Sequence, residues 1–242
     1  DDKESTALLP RVRQVFARMG LTDADIEVAK NRMTTYYDME LRGVRRLMGL
    51  FLKDFCNIVL MREDGRERIV HACMLPGMDF LGSAIMGNTP KVGLISPNTT
   101  FMVVLGCMFG KFVPILEAAE KQWLKTGAVA HCGMVKSRVG LISLGLIPKP
   151  DLTITSGYLC ETSPKVNEIL EQVYGIPACF VDTMEDRELR EYPDASRATA
   201  FAAKSMRAAS GRIERETGFG ITDDMLWKVL EGRRPFDEAM SR

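Results

Sequence analysis

Apolar residues recur at helical spacing through the first third of the chain. Those between Leu8 and Met19 fall every three or four positions, which predicts one buried helix face. Thr22 is typical of an N-cap residue, and the helical pattern after it continues toward Met61. We therefore predict a long second helix, with a bend near Gly43 or Gly49.

This long helix carries more apolar side chains than one narrow stripe can hold. A single sheet cannot cover all of them, so the sequence predicts an apolar patch that another domain or subunit covers. Five residues are expected to stay uncovered within the chain itself: Met39, Leu47, Met48, Leu50 and Phe51.

From Val92 onward, short apolar runs bounded by turn residues alternate with helical patterns. This alternation predicts parallel strands joined by right-handed crossovers, with helices on both faces of the sheet. After Pro193 the pattern returns to helix, and Thr222 is expected to cap the last one. The four predicted strands are Val92–Ser96, Ala128–His131, Asp151–Ser156 and Ala178–Asp182.

The predicted fold class is α/β, doubly wound around a parallel sheet, with helical additions at both ends. The predicted parts are a helical N-terminal segment over residues 1–90, a parallel α/β core over 91–190 and C-terminal helices over 191–242. The charged N-terminus has no initiating Met, so we expect a partial chain whose last helices lead into a further domain.

Charge and hydropathy exclude several classes of protein. Lys plus Arg and Asp plus Glu are balanced at 32 each, so net charge does not predict a nucleic-acid or membrane-surface partner. No apolar run reaches the roughly eighteen residues that a membrane span needs. Because no signal peptide precedes the six cysteines, we expect reduced thiols in a soluble cytoplasmic protein.

Two cysteines follow predicted strands at the edge where parallel sheets bind ligands. Cys132 comes directly after the strand ending at His131 and begins the next helix. Cys160 lies in the loop after the strand ending at Ser156. A thiol at a helix N-terminus faces unpaired N–H groups and the positive end of the dipole, which favours the thiolate that binds iron or attacks carbon.

The other candidate residues have a structural interpretation that is at least as good. His131 adjoins Cys132 and suggests a Cys–His nucleophile, but neighbouring side chains at a strand end usually diverge, which favours a structural histidine. Lys136 and Arg138 fit either an anionic ligand or a solvated helix face. Four cysteines are expected to serve mainly in packing: Cys56, Cys73, Cys107 and Cys179.

Three stretches resemble the 2-hydroxyacyl-CoA dehydratase family, which includes the subunits of ATP-dependent benzoyl-CoA reductase. They are His131–Gly140, Gly145–Ile154 and Tyr158–Glu161, and the likeness extends from about Lys91 to Leu230. The family pattern has a Cys at a helix start, a Gly several residues later, a strand entered through a Pro-Asp pair and a second Cys.

The resemblance implies a flavodoxin-like domain and a [4Fe–4S] cluster held by three cysteines. Cys132 and Cys160 match the first two ligands, whereas the third ligand of the family comes from a later domain and no cysteine follows Cys179 here. Glu161 also stands where Asp is commoner. The resemblance further implies a homologous second subunit, an acyl-CoA substrate and an ATP-dependent iron–sulfur activator that delivers one electron.

Three hypotheses remain open at this point. In the first, the chain is an iron–sulfur subunit that dehydrates a 2-hydroxyacyl-CoA to an enoyl-CoA through a ketyl radical, or reduces an aromatic acyl-CoA. In the second, it is a catalytically silent α/β subunit that docks through its helical N-terminal third. In the third, Cys132 and His131 form a thiol-dependent enzyme without iron.

Overall fold

Four short parallel strands form the sheet in the computed structural model of this chain. The structure describes residues 2–72, 78–122, 132–156, 162–182 and 196–241. The strands pair in the order β2-β1-β3-β4, which matches the first four positions of the flavodoxin-like order. This confirms the predicted fold class. The strands are β1 (Arg68–Ala72), β2 (Val92–Ile95), β3 (Leu152–Thr155) and β4 (Ala178–Phe180).

Ten α-helices and one π-helical segment occur in the described ranges. The π-helix spans Met102–Met108. The α-helices are α1 (Asp2–Arg18), α2 (Asp23–Tyr36), α3 (Arg42–Val59), α4 (Met78–Met86), α5 (Pro97–Phe101), α6 (Val113–Gln122), α7 (Gly133–Ser143), α8 (Thr162–Tyr174), α9 (Ser196–Thr217) and α10 (Asp223–Met240).

The chain divides into two compact units, and each is built from two separate stretches. The first unit combines Asp1–Asp64 with Pro97–Lys149 and is entirely helical where it is described. The second combines Gly65–Ser96 with Pro150–Arg242 and contains the four strands with α4, α8, α9 and α10.

Helices pack on both faces of the sheet in the second unit. Val70 and Leu152 stand side by side in the register and share an apolar core with residues of α4, α9 and α10. Side chains alternate between faces along a strand, so Thr155 lies on the opposite face from Leu152. There the Thr155 hydroxyl hydrogen-bonds Ser163 of α8 at 2.8 Å.

Strand β1 lies inside the segment that was predicted to be helical, so that prediction is wrong there. Its middle residues Ile69 and Val70 are buried, and His71 and Ala72 are buried as well. The strand begins soon after the Asp64–Gly65 turn and lies between β2 and β3. The carboxylate of Asp151, just before β3, accepts a hydrogen bond from the Ile69 N–H at 2.7 Å.

The predicted long helix is also wrong, because α2 ends at Tyr36 and α3 begins at Arg42. Side chains satisfy the backbone of the break between them. The Asp38 carboxylate accepts a hydrogen bond from the Glu40 N–H at 3.0 Å, and the Arg45 guanidinium donates to the carbonyls of residues 39 and 40. The chain therefore breaks at a polar turn rather than bending at Gly43 or Gly49.

The predicted N-cap at Thr22 is confirmed. Its hydroxyl accepts a hydrogen bond from the Asp25 N–H at 3.3 Å, and the Asp25 carboxylate accepts from the Thr22 N–H at 2.8 Å. Lys111 lies 2.7 Å from the same carboxylate, and this contact together with the Thr22 bonds lowers the pKa of Asp25 to about 2. These contacts cap the first turn of α2, and the negative charge of Asp25 interacts favourably with the positive end of the helix dipole.

Two of the five apolar residues that were predicted to stay uncovered are exposed in the described part of the chain, and the other three are partly covered. Leu47 and Leu50 are 50% and 55% exposed. Met39, Met48 and Phe51 are only half-buried. The last two turns of the same helix are covered, since Phe55, Ile58 and Val59 are buried.

Candidate functional site

The carboxyl edge of the sheet between β1 and β3 is where this topology places a ligand crevice. The chain leaves β1 toward β2 on one side and returns to add β3 on the other side. Helices that follow the two strands then lie on opposite faces, which opens a crevice between their carboxyl ends. Ser156 directly follows β3 at this edge and is buried.

Cys160 and its neighbour Glu161 lie outside the described residues. The elements on either side are as predicted, with β3 ending at Thr155 and α8 beginning at Thr162. The closeness of Cys132 and Cys160 therefore stays a prediction. His131 and Cys73 also lie outside the described ranges, although Cys73 directly follows the last residue of β1 in the sequence.

Cys132 is the N-cap residue of α7, as predicted. Its backbone is extended, with φ −66° and ψ 156°, and no side chain caps the helix at this point. Cys132 is exposed, whereas the following residues of α7 are buried from Ser137 to Ile142. The first N–H groups of a helix have no intrahelical partner, so Cys132 lies beside donors that favour a negatively charged ligand.

The two basic side chains in the first turns of α7 are engaged in other ways than the predicted binding of an anionic ligand. Lys136 forms an ion pair with Glu120 of α6, which holds its ammonium group. Arg138 is buried, with 1% of its surface exposed, so it does not belong to a solvated helix face. An anionic ligand at Cys132 would therefore rely on backbone N–H groups rather than on these two side chains.

Position 140, in the middle of α7, requires a glycine because α6 lies very close to it. A Cβ atom at Gly140 would lie 2.8 Å from the carbonyl carbon and 2.9 Å from Cγ2 of Ile115. Helices α6 and α7 therefore approach closely at this point, and only glycine leaves enough room. This contact holds the helix that begins at Cys132 in place.

Packing roles are confirmed for two of the other cysteines. Cys56 and Cys179 are buried, and burial raises the pKa of each thiol to about 11. Cys107 is half-buried in the π-helix, and a hydrogen bond with it raises the pKa of Tyr37. Among the described residues, no group of three or more His, Cys, Asp or Glu side chains is arranged to hold a metal ion.

Sequence reasoning missed Asn98, which contacts the first turn of α7. Its Nδ2 donates to the Met134 carbonyl at 2.5 Å, and its Oδ1 is buried without a hydrogen-bond partner in the described part of the chain. Asn98 follows β2 by three residues, inside the short helix that begins at Pro97. The Ser-Pro-Asn sequence indicated only a turn, because the contact depends on tertiary structure.

Comparison with known proteins leaves the function to be argued from the site. No protein-family model and no curated protein matches the chain. Within the described ranges, no helix is long and apolar enough to cross a membrane.

The structure predicts a clear order of thiol reactivity. With iodoacetamide at pH 8, we expect Cys132 to be alkylated in the folded protein while Cys56 and Cys179 stay protected. Cys132 is exposed, whereas a buried thiol with a pKa of about 11 is in the thiolate form in only about one molecule in a thousand at this pH. Peptide mass mapping over time measures the three rates, and equal rates in native protein would contradict this.

Proposed function

We propose that this chain is the iron–sulfur subunit of an acyl-CoA enzyme, in which Cys132 and Cys160 are ligands of a [4Fe–4S] cluster. The observation that carries the proposal is the exposed Cys132 thiol at the uncapped N-terminus of α7. The position of Cys160, after a strand of a parallel sheet, also supports it.

The donor set at Cys132 fits such a group. Thiolate is the ligand that iron–sulfur clusters prefer, and neighbouring N–H groups tune their potential. When bound, the cluster supplies one-electron transfer and an iron that acts as a Lewis acid. The chain's own contribution is the Cys132 thiolate, the positive end of α7 beside it and the close α6–α7 contact at Gly140 that fixes this helix.

The favoured reaction is dehydration of a 2-hydroxyacyl-CoA to an enoyl-CoA, with reduction of an aromatic acyl-CoA as the alternative. An ATP-dependent iron–sulfur activator would supply the electron, and a homologous second subunit would complete a cytoplasmic enzyme. The uncovered apolar residues of α3 support a partner subunit, because exposed apolar patches usually mark interaction surfaces. The third ligand of the cluster would be a residue other than these two cysteines, and in the family it comes from a later domain.

Iron and sulfide analysis tests this proposal directly. Protein that is purified without oxygen, together with its partner subunit, should contain iron and acid-labile sulfide and should convert 2-hydroxyacyl-CoA only when the activator and ATP are present. Protein without iron that is catalytically silent would favour a structural subunit. Turnover in air without iron would favour a thiol enzyme based on Cys132 and His131.

A further inference from the structure

The first half of α3 presents an exposed face that is both basic and apolar. Arg42, Arg46 and Leu50 are exposed and follow one another at four-residue spacing, so they form one row along the helix. Leu47 lies beside this row and is also exposed. The last turns of α3 are buried, so the chain itself leaves only the first half of the helix open.

The charge of this stretch has one sign. From Leu41 to Lys53 the sequence contains basic residues and no acidic ones, although the whole chain has 32 of each charge. The next carboxylate along the chain, that of Asp54, accepts a hydrogen bond from the Thr100 hydroxyl at 2.6 Å. The balanced net charge of the chain therefore conceals a local positive charge on α3. The basic residues are Arg42, Arg45, Arg46 and Lys53.

Two glycines flank the row of exposed side chains. Gly43 and Gly49 lie three residues before and after Arg46, so they are its neighbours on the helix surface. Both are exposed, and nothing lies within 4 Å of the position that a Cβ would take at either one. Glycine weakens a helix relative to alanine, but here it leaves a groove on each side of Arg46. Such grooves accept the ridge of side chains of a second helix.

We propose that this face of α3 docks an acidic amphipathic helix of a partner protein. Carboxylates of that helix pair with Arg42 and Arg46, and its apolar side chains cover Leu47 and Leu50. The glycines allow its backbone to approach closely. The inference rests on the proposed function only for the existence of a partner, and it adds the chemistry of the surface that meets α3.

Two other occupants explain the face less well. A second copy of this chain would place arginines against arginines, and like charges across an interface are unfavourable. An anionic membrane surface would attract the arginines and accept the leucines. It would, however, gain nothing from the grooves at Gly43 and Gly49, whereas a helix fits into them.

Binding of two synthetic peptides to the full chain, expressed without other proteins, tests the inference. One peptide is a helix of leucine, alanine and glutamate, and the other has lysine in place of each glutamate. In fluorescence anisotropy, we expect the acidic peptide to bind at least about tenfold more tightly than the basic one. Replacing both Arg42 and Arg46 with Glu should lower the affinity for the acidic peptide about tenfold. Leu50→Gln should lower it about fivefold.

Two further variants serve as controls. Replacing both Lys204 and Lys228 with Glu makes the same change of charge at exposed positions of α9 and α10, and this variant should keep the wild-type affinity. Gly49→Ala should raise the resistance of the chain to urea, because alanine favours a helix. It should nevertheless weaken binding of the acidic peptide severalfold, since the new methyl group occupies the groove. Circular dichroism should show every variant folded.

Several results would overturn the inference. They are equal affinity for the two peptides, no binding of the acidic peptide, and unchanged affinity in the folded double arginine variant or in Gly49→Ala. Tighter binding to phosphatidylglycerol vesicles than to the acidic peptide would assign the face to a membrane surface instead. Iron and sulfide analysis tests the cluster separately, so protein without iron would overturn the iron–sulfur proposal and leave the docking result standing.

Discussion

Cys132→Ser should remove most of the iron from protein that is purified without oxygen, and it should abolish acyl-CoA turnover. A serine hydroxyl is a poor substitute for thiolate on a soft iron–sulfur site. Cys160→Ser should have the same effect, because the proposal makes both thiols ligands of one cluster. The measurement is iron and sulfide per chain beside turnover with activator and ATP.

The buried cysteines provide the control for this pair. Cys56→Ser and Cys179→Ser should keep their iron, since both thiols are enclosed in packed regions. They should instead lose about 1–3 kcal/mol of stability, because a hydroxyl is buried in place of a thiol. Full iron content with Cys132 and Cys160 both replaced would show that neither is a ligand.

Gly140→Ala should destabilise the protein by about 3 kcal/mol, because the new methyl group meets the backbone of Ile115. Backbone atoms of α6 cannot move aside as a flexible side chain can, so α6 and α7 must separate. Urea unfolding followed by circular dichroism measures the loss. Cys132 alkylation should also change in rate, since α7 carries this residue at its start.

Gly43→Ala is the matched control for this substitution. Gly43 lies near the start of α3, and nothing comes within 4 Å of the position that its Cβ would take. Alanine is the better helix former by up to about 1 kcal/mol, so this change should stabilise the protein slightly. If Gly140→Ala lowers the free energy of unfolding no more than Gly43→Ala alters it, the α6–α7 contact is not tight.

Strong periodicity made much of the fold predictable. Apolar spacing and turn residues predict three of the strands, the caps at Thr22 and Thr222, and helix α8 after the Cys160 loop. The fourth predicted strand, Ala128–His131, lies outside the described residues. Local chemistry decides these elements, so a single sequence reveals them.

The errors arise where tertiary structure outweighs local preference. Strand β1 has only two β-branched residues, between Arg68 and His71, and it is stabilised by pairing with strands on both sides. The helical spacing continues through the α2–α3 break because that turn is held by side-chain hydrogen bonds, which the Asp38 carboxylate accepts and the Arg45 guanidinium donates, and not by a helix-breaking residue. Neither contact has a counterpart in apolar spacing.

The candidate site was predictable only in part. The position of Cys132 at a helix start follows from a strand-like run, a thiol and a glycine in sequence. Asn98 could not be found this way, because its contact with Met134 joins residues that are 36 positions apart. Burial of Arg138 was likewise hidden, since charged side chains are rarely enclosed.

The strand order has a consequence for how the protein folds during synthesis. Strand β1 can pair with β2 early, but its other edge waits for β3, and the Ile69–Asp151 hydrogen bond spans 82 residues. At ordinary translation rates that delay is roughly 4 to 16 seconds. An open edge in a nascent sheet can pair with other chains, and non-local parallel pairing is intrinsically slow. We expect the nascent chain to depend on chaperones until β3 has left the ribosome.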